Sequence, residues 1–235
     1  IRGNKSTDGT TTPGNSGGGG GVYIHGNAGQ PIAMTNCTIV GNTAAAYGGG
    51  MCIEKGTIIL TNCTIKGNTA KFGGGIYVRK IDTNTSTVTI TGGAIGGTGA
   101  GDENKATGSG ADGGLGGGIY VAKDCALTLK DGAQVIGNDA AFNGAGIYTK
   151  GNLTMEKCTI TDNKTIGANN NTGGGGVYVD GTLIMKGSSK ITDCSAGGGG
   201  GLFLFGTCTL QDSSSITHCE ARDYGGGVFV DYSGT

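Results

Sequence analysis

Long apolar runs, helical spacing and a dominant charge sign are all missing from this 235-residue chain. A formal net charge of −1 supplies no long-range field to steer nucleic acid or an anionic membrane, so neither is expected as a partner. No apolar stretch approaches the ~18–20 residues that span a bilayer, and Ile1-Arg2-Gly3-Asn4 does not read as a signal peptide. The segment is therefore expected not to insert into a membrane. Cys-x-x-Cys spacing is absent and the histidines are only His25 and His218, so no metal or other cofactor is expected. Two prolines stand against 54 glycines, a level that would suggest low complexity if the glycines had no order.

They are ordered. The segment Gly48-Gly49-Gly50-Met51-Cys52-Ile53, followed by Ile65-Lys66-Gly67-Asn68, is one copy of a two-part signature repeated along the chain. The last glycine of each run falls at Gly21, Gly50, Gly75, Gly118, Gly146, Gly176, Gly201 and Gly227, with steps of 29, 25, 43, 28, 30, 25 and 26. Such a period means stacked supersecondary units, each able to bury its apolar face only against its neighbours.

Aligned on the glycines, the copies give columns. An apolar-aromatic-apolar triplet or a near match follows every run except the one ending at Gly50, as in Ile76-Tyr77-Val78 and Val177-Tyr178-Val179. Side chains alternate along a strand, so the first and third residues face inward and the aromatic faces outward. A second strand follows, such as Thr57–Thr61. The third segment carries Ile-x-Gly-Asn or a variant. Two residues before its Ile or Val stand Cys37, Cys63, Gly93, Ala133, Cys158, Ser189 and Ser214, a small column expected inside. Three residues after it stand Asn42, Asn68, Thr98, Asn138, Asn163, Cys194 and Cys219. Asparagines Asn4, Asn42, Asn68, Asn138 and Asn163 are expected to hydrogen-bond along the stack as a ladder.

These columns predict an all-β, right-handed parallel β-helix, one domain over residues 1–235, with seven to eight rungs of three short strands. Rungs ~4.8 Å apart would make a rod of roughly 35 Å. Glycine before each first strand is explained by a corner needing positive φ or by backbone packed against the next rung. A phosphate-binding loop would need a following helix and a Lys-Ser/Thr pair, neither of which is present.

Gly-Gly-x-(Ile/Val) alternating with an aromatic or aliphatic-x-x-Asn motif resembles the repeats of chlamydial polymorphic outer-membrane proteins. It also resembles the wider class of bacterial right-handed β-helix surface and adhesin-like proteins. Essentially the whole chain is covered. Where the chlamydial repeats have Phe-x-x-Asn, this chain has Ile39-Val40-Gly41-Asn42 and Ile160-Thr161-Asp162-Asn163, which makes the wider class the better match. The resemblance implies a secreted or cell-surface protein, with no outer-membrane barrel inside these residues.

Both ends fall within a repeat: Ile1-Arg2-Gly3-Asn4 aligns on Ile39–Asn42, and Ser233-Gly234-Thr235 on Lys55-Gly56-Thr57. Either the chain is a segment of a longer stalk, or subunits associate head to tail into a filament. Eight cysteines allow two cross-rung disulfides, Cys194 to Cys219 and Cys37 to Cys63, against the alternative that a reduced cysteine is simply a small buriable residue.

Polysaccharide-active β-helices need clustered carboxylates on one face. The position after each first strand reads His25, Glu54, Arg79, Ala122, Lys150, Asp180, Phe205 and Asp231. Here Glu54 beside Arg79 and Lys150 beside Asp180 suggest solvated ion pairs of little energy rather than a catalytic cluster. The outer column of Tyr77, Tyr120, Tyr148, Tyr178, Phe203 and Phe229, with Tyr23 beyond the gap at Cys52, is either sheet-stabilising packing or a binding platform for a glycan or a host or neighbour-cell protein. Three long loops, Lys5 to Ser16, Gly99 to Leu115 and Lys164 to Asn171, fall at one corner and mark an expected binding edge. The expected role is a non-enzymatic stalk or adhesin segment. A filament subunit and a degraded or carbohydrate-binding relative of polysaccharide-active β-helices are the alternatives.

Overall fold

The computed structural model describes residues 1–9, 18–26, 30–81, 83, 85–108, 113–167 and 172–231. The alignment of Ser233-Gly234-Thr235, and the middle of each long loop, lie outside these residues. The chain coils into an all-β parallel solenoid of about seven turns, with no helix among the described residues. Three sheets of 14, 8 and 7 strands run along it, and every strand pair is parallel and joins adjacent turns.

The first and second strands of each turn belong to one sheet, because Met51–Thr61 runs unbroken through both positions. The third segment, as in Thr64–Lys66 and Ala94–Gly96, makes the 7-stranded sheet. The 8-stranded sheet consists mostly of two-residue strands such as Thr69–Ala70 and Lys105–Ala106, too short to show alternation in sequence.

The alternation rule holds inside. Ile76, Val78, Val88, Ile90 and Ile95 of one turn are essentially fully buried, and Ile119, Val121, Leu127, Leu129 and Val135 repeat them one turn on. Cys63, Ala133, Cys158 and Ser189 of the small column are buried with them.

Each glycine of a run answers a different constraint. The first turns the corner with positive φ, 61° at Gly48 and 69° at Gly116. The second lies against the next turn's backbone: a Cβ on Gly49 would sit 2.5 Å from Gly74 O. The third faces the asparagine ladder, where a Cβ on Gly118 would meet Asn138 Nδ2 at 3.0 Å and one on Gly146 would meet Asn163 at 3.1 Å. In the other half of the signature, Gly67 of Ile-x-Gly-Asn is left-handed at φ 64°, and Asp162 takes that conformation at 57°, as a short polar side chain can.

The ladder runs through the interior. Asn42 Nδ2 donates to Asn68 Oδ1 at 3.0 Å, Asn68 to Asn104, Asn104 to Asn138, and Asn138 to Asn163, each at 2.9 Å. All five are fully buried, while Asn4 is exposed and donates its backbone N–H to Asn42 Oδ1. The fourth member is Asn104, not Thr98. Residues 97–103 bulge out before the ladder position, so counting from Ile95 loses the register. The same bulge divides the described part of the Gly99 to Leu115 loop between two corners: residues 99–103 precede Asn104, and 107–108 and 113–114 follow Lys105–Ala106. The latter shares its corner with the loops after Lys5–Ser6 and Lys164–Thr165.

Candidate functional site

On the outer face of the first strands the aromatic rings stack at turn spacing. Centroids are 4.8 Å apart for Tyr77 and Tyr120, 5.1 Å for Tyr120 and Tyr148, 5.0 Å for Tyr148 and Tyr178, and 4.7 Å for Tyr178 and Phe203. Phe229 closes the row edge-on to Phe203 at 4.9 Å. Facing outward from the coil does not leave these rings in water. Tyr77, Tyr120 and Tyr148 are 8, 8 and 6% exposed, so within the continuous stack a ligand reaches the rings at Tyr178, Phe203 and Phe229, which are half-buried, while Tyr23 beyond the gap is 47% exposed.

A second column, one residue before each glycine run, covers them. Tyr47, Phe72, Leu115 and Asn143 pair in succession along the stack, Gly173 pairs with Gly198, and Gly198 with Tyr224. Tyr47 lies 4.5 Å from the Tyr77 ring, and Phe72 packs edge-on to Tyr120 at 6.0 Å. Where the column shrinks to Asn143, Gly173 and Gly198, the cover is lost. It returns at Tyr224, 5.4 Å from Phe229. This covering column is legible in the sequence as the residue preceding each run, a position the repeat alignment passed over.

Between Phe142 and Tyr224 the missing cover leaves a groove of about 340 Å³. Tyr178, Phe203, Phe205 and Phe229 supply its apolar surface, and Asn143, Thr172 and Asp231 its polar rim. Phe203 lies so close over Gly173 that a Cβ there would come within 2.3 Å of the ring. Asn143 Oδ1 accepts the Gly173 N–H at 2.6 Å, and Thr172 Oγ1 accepts from Gly197 N at 3.1 Å, which fixes the groove wall. Burial, reinforced by the charge of Asp180, pushes the Tyr120 and Tyr178 phenols up to about 12, so they stay neutral donors.

At the opposite end of the column the expected solvated pair is a buried one. Glu54 is 1% and Arg79 9% exposed; Arg79 Nη2 and the Tyr23 hydroxyl donate to the Glu54 carboxylate, with His25 Nδ1 3.6 Å away. Arg79 also lies over the Tyr47 ring, 5.1 Å from its centroid. The reason is the gap at Cys52: with no ring in the column, Tyr47 and the ion pair fill its place. Burial and the neighbouring Glu54 charge push Cys52 up to about 12, which leaves it a protonated packing residue. Lys150 and Asp180, 3.4 Å apart with both side chains partly exposed, are the solvated pair expected. All eight cysteines, including Cys37 and Cys63, carry free thiols. Among the described residues no cluster of three or more His, Cys, Asp or Glu is arranged to hold a metal.

Comparison with family models, curated proteins and solved structures gives no match. The parallel β-solenoid is thus common ground with the β-helix repeat proteins the sequence resembles, and what the molecule does has to be argued from its own surface.

Proposed function

We propose that the chain is a structural segment of a secreted or cell-surface β-helix of the adhesin-like class, acting through its surface rather than by catalysis. Its binding surface is the groove over Tyr178, Phe203 and Phe229. The observation that carries this reading is the local loss of the covering column at Asn143, Gly173 and Gly198, which bares three successive stacked rings. From Tyr77 to Tyr148 the rings are sealed, as packing alone would require.

Stacked aromatic faces with carboxylate, hydroxyl and amide groups at the rim suit a sugar chain, which offers apolar C–H faces and hydroxyls alternately. Fixed ring spacing favours an extended glycan over a single small molecule. A glycan array tests this, followed by titration with Phe203→Ala. Binding by the parent chain and at least tenfold weaker binding by the variant, with its fold intact by circular dichroism, supports the groove. Absence of any glycan bound by the parent, or equal binding by the variant, overturns it.

A further inference from the structure

The asparagine ladder ends in two thiols. Cys194 and Cys219 follow Asn163 in the ladder column, in adjacent turns paired Ser195 to Glu220, and Glu220 N donates to Cys194 O at 2.9 Å. We propose that Cys194 and Cys219 form a redox-active dithiol, in which Cys219 attacks a small disulfide and Cys194 resolves the adduct into a disulfide that staples the two turns together.

Packing alone does not account for cysteine here. Asparagine in this column satisfies the interior: Asn163 Nδ2 donates to Val135 O at 2.9 Å, and Asn138 to Ile95 O at 2.9 Å. The thiols reach the equivalent carbonyls, Ile160 O and Ile191 O, only at 4.0 Å and donate at 3.2 Å to Thr192 O and Thr217 O of their own turn, so the position gives up the strong amide bonds between turns. Cys37 and Cys63, in contrast, occupy the small column, where alanine and serine serve as well.

Geometry favours a bond between these two. Successive turns are ~4.8 Å apart, within the Cα separation that a disulfide accepts. A Cβ on Gly201 would sit 3.0 Å from Cys219 Sγ and one on Gly176 3.4 Å from Cys194 Sγ, so the third glycine of each run walls in the sulfurs as it does the amides. The thiols differ in depth: Cys194 is buried and Cys219 half-buried. The adjoining Cys194 thiol lowers Cys219 against its burial and the charge of Asp193, while the same contact and burial push Cys194 up. The outer sulfur is the thiolate and the inner one the resolving thiol.

The chemistry balances with an external disulfide such as oxidised glutathione. Cys219 thiolate attacks one sulfur of the donor, breaking its S–S bond, forming a mixed disulfide and releasing one glutathione thiolate. Cys194 loses its proton to solvent and attacks Cys219 Sγ, expelling the second glutathione. The protein is oxidised by two electrons and the donor reduced to two thiols.

The test exposes the folded 235-residue chain to oxidised glutathione, blocks the remaining thiols in denaturant, and maps the peptides by mass spectrometry. Loss of two of the eight thiols as a Cys194–Cys219 linkage is expected. Cys194→Ser should trap a glutathione adduct on Cys219, and Cys219→Ser should gain neither adduct nor linkage at Cys194. Eight free thiols after exposure, a Cys37–Cys63 linkage with Cys194 and Cys219 free, or an adduct on Cys194 in the Cys219→Ser chain would overturn the proposal. The parent map decides even if a variant fails to fold.

Discussion

The aromatic column behaves differently at its two ends, although the strands beneath are the same. From Tyr77 to Tyr148 the rings lie under Tyr47, Phe72 and Leu115 and act as an outer core; from Tyr178 to Phe229 the cover is Asn143, Gly173 and Gly198, and the rings line a groove. Similar ring spacings therefore carry two meanings. What separates structural from binding aromatics here is the residue lying across them, since the strand register is the same in both stretches.

Substitutions can break that contrast. The largest effect is expected at the sealed end, where Glu54→Ala leaves the buried Arg79 guanidinium unpaired and should cost about 3–5 kcal/mol in urea-induced unfolding. A loss below about 1 kcal/mol would show that water reaches the pair. Tyr120→Ala removes a buried ring between two stacked neighbours and should cost about 3–4 kcal/mol by the same measurement. Phe203→Ala, in the open stretch, should cost less, about 1–2 kcal/mol, because part of the ring already lies in solvent. Equal losses for Tyr120→Ala and Phe203→Ala would erase the distinction between sealed and open rings. Smallest of all, Lys150→Ala should shift stability by less than about 0.5 kcal/mol, since its bond to Asp180 is solvated, and a double-mutant cycle with Asp180→Ala measures the coupling.

Much of the interior was legible because a repeat makes each position testable several times over. Six apolar-aromatic-apolar triplets, the near match Ile147-Tyr148-Thr149 and a column of small residues give the inward and outward faces without any structure. Asn104 was missed by counting forward from Ile95, yet Asn104-Lys105-Ala106 matches Asn42-Thr43-Ala44, Asn68-Thr69-Ala70 and Asn138-Asp139-Ala140, and counting by that motif finds it. The bulge at residues 97–103 defeats spacing but leaves the local signature intact. Glu54 and Arg79 are a different failure. Alternation says which way a side chain leaves the strand; it does not say whether another segment lies over it, and here Tyr23 and Tyr47 do.

Sequence by itself determined the period, the parallel stack and the inward columns, because turn geometry, small side chains and alternating burial are local demands repeated once per turn. Tertiary structure alone decided which outward residues are in water. That depends on the size of a residue carried by the preceding turn and laid across the ring. Phe72 and Gly173 are equally legible as letters, but only their placement against Tyr120 and Phe203 makes one a seal and the other an opening.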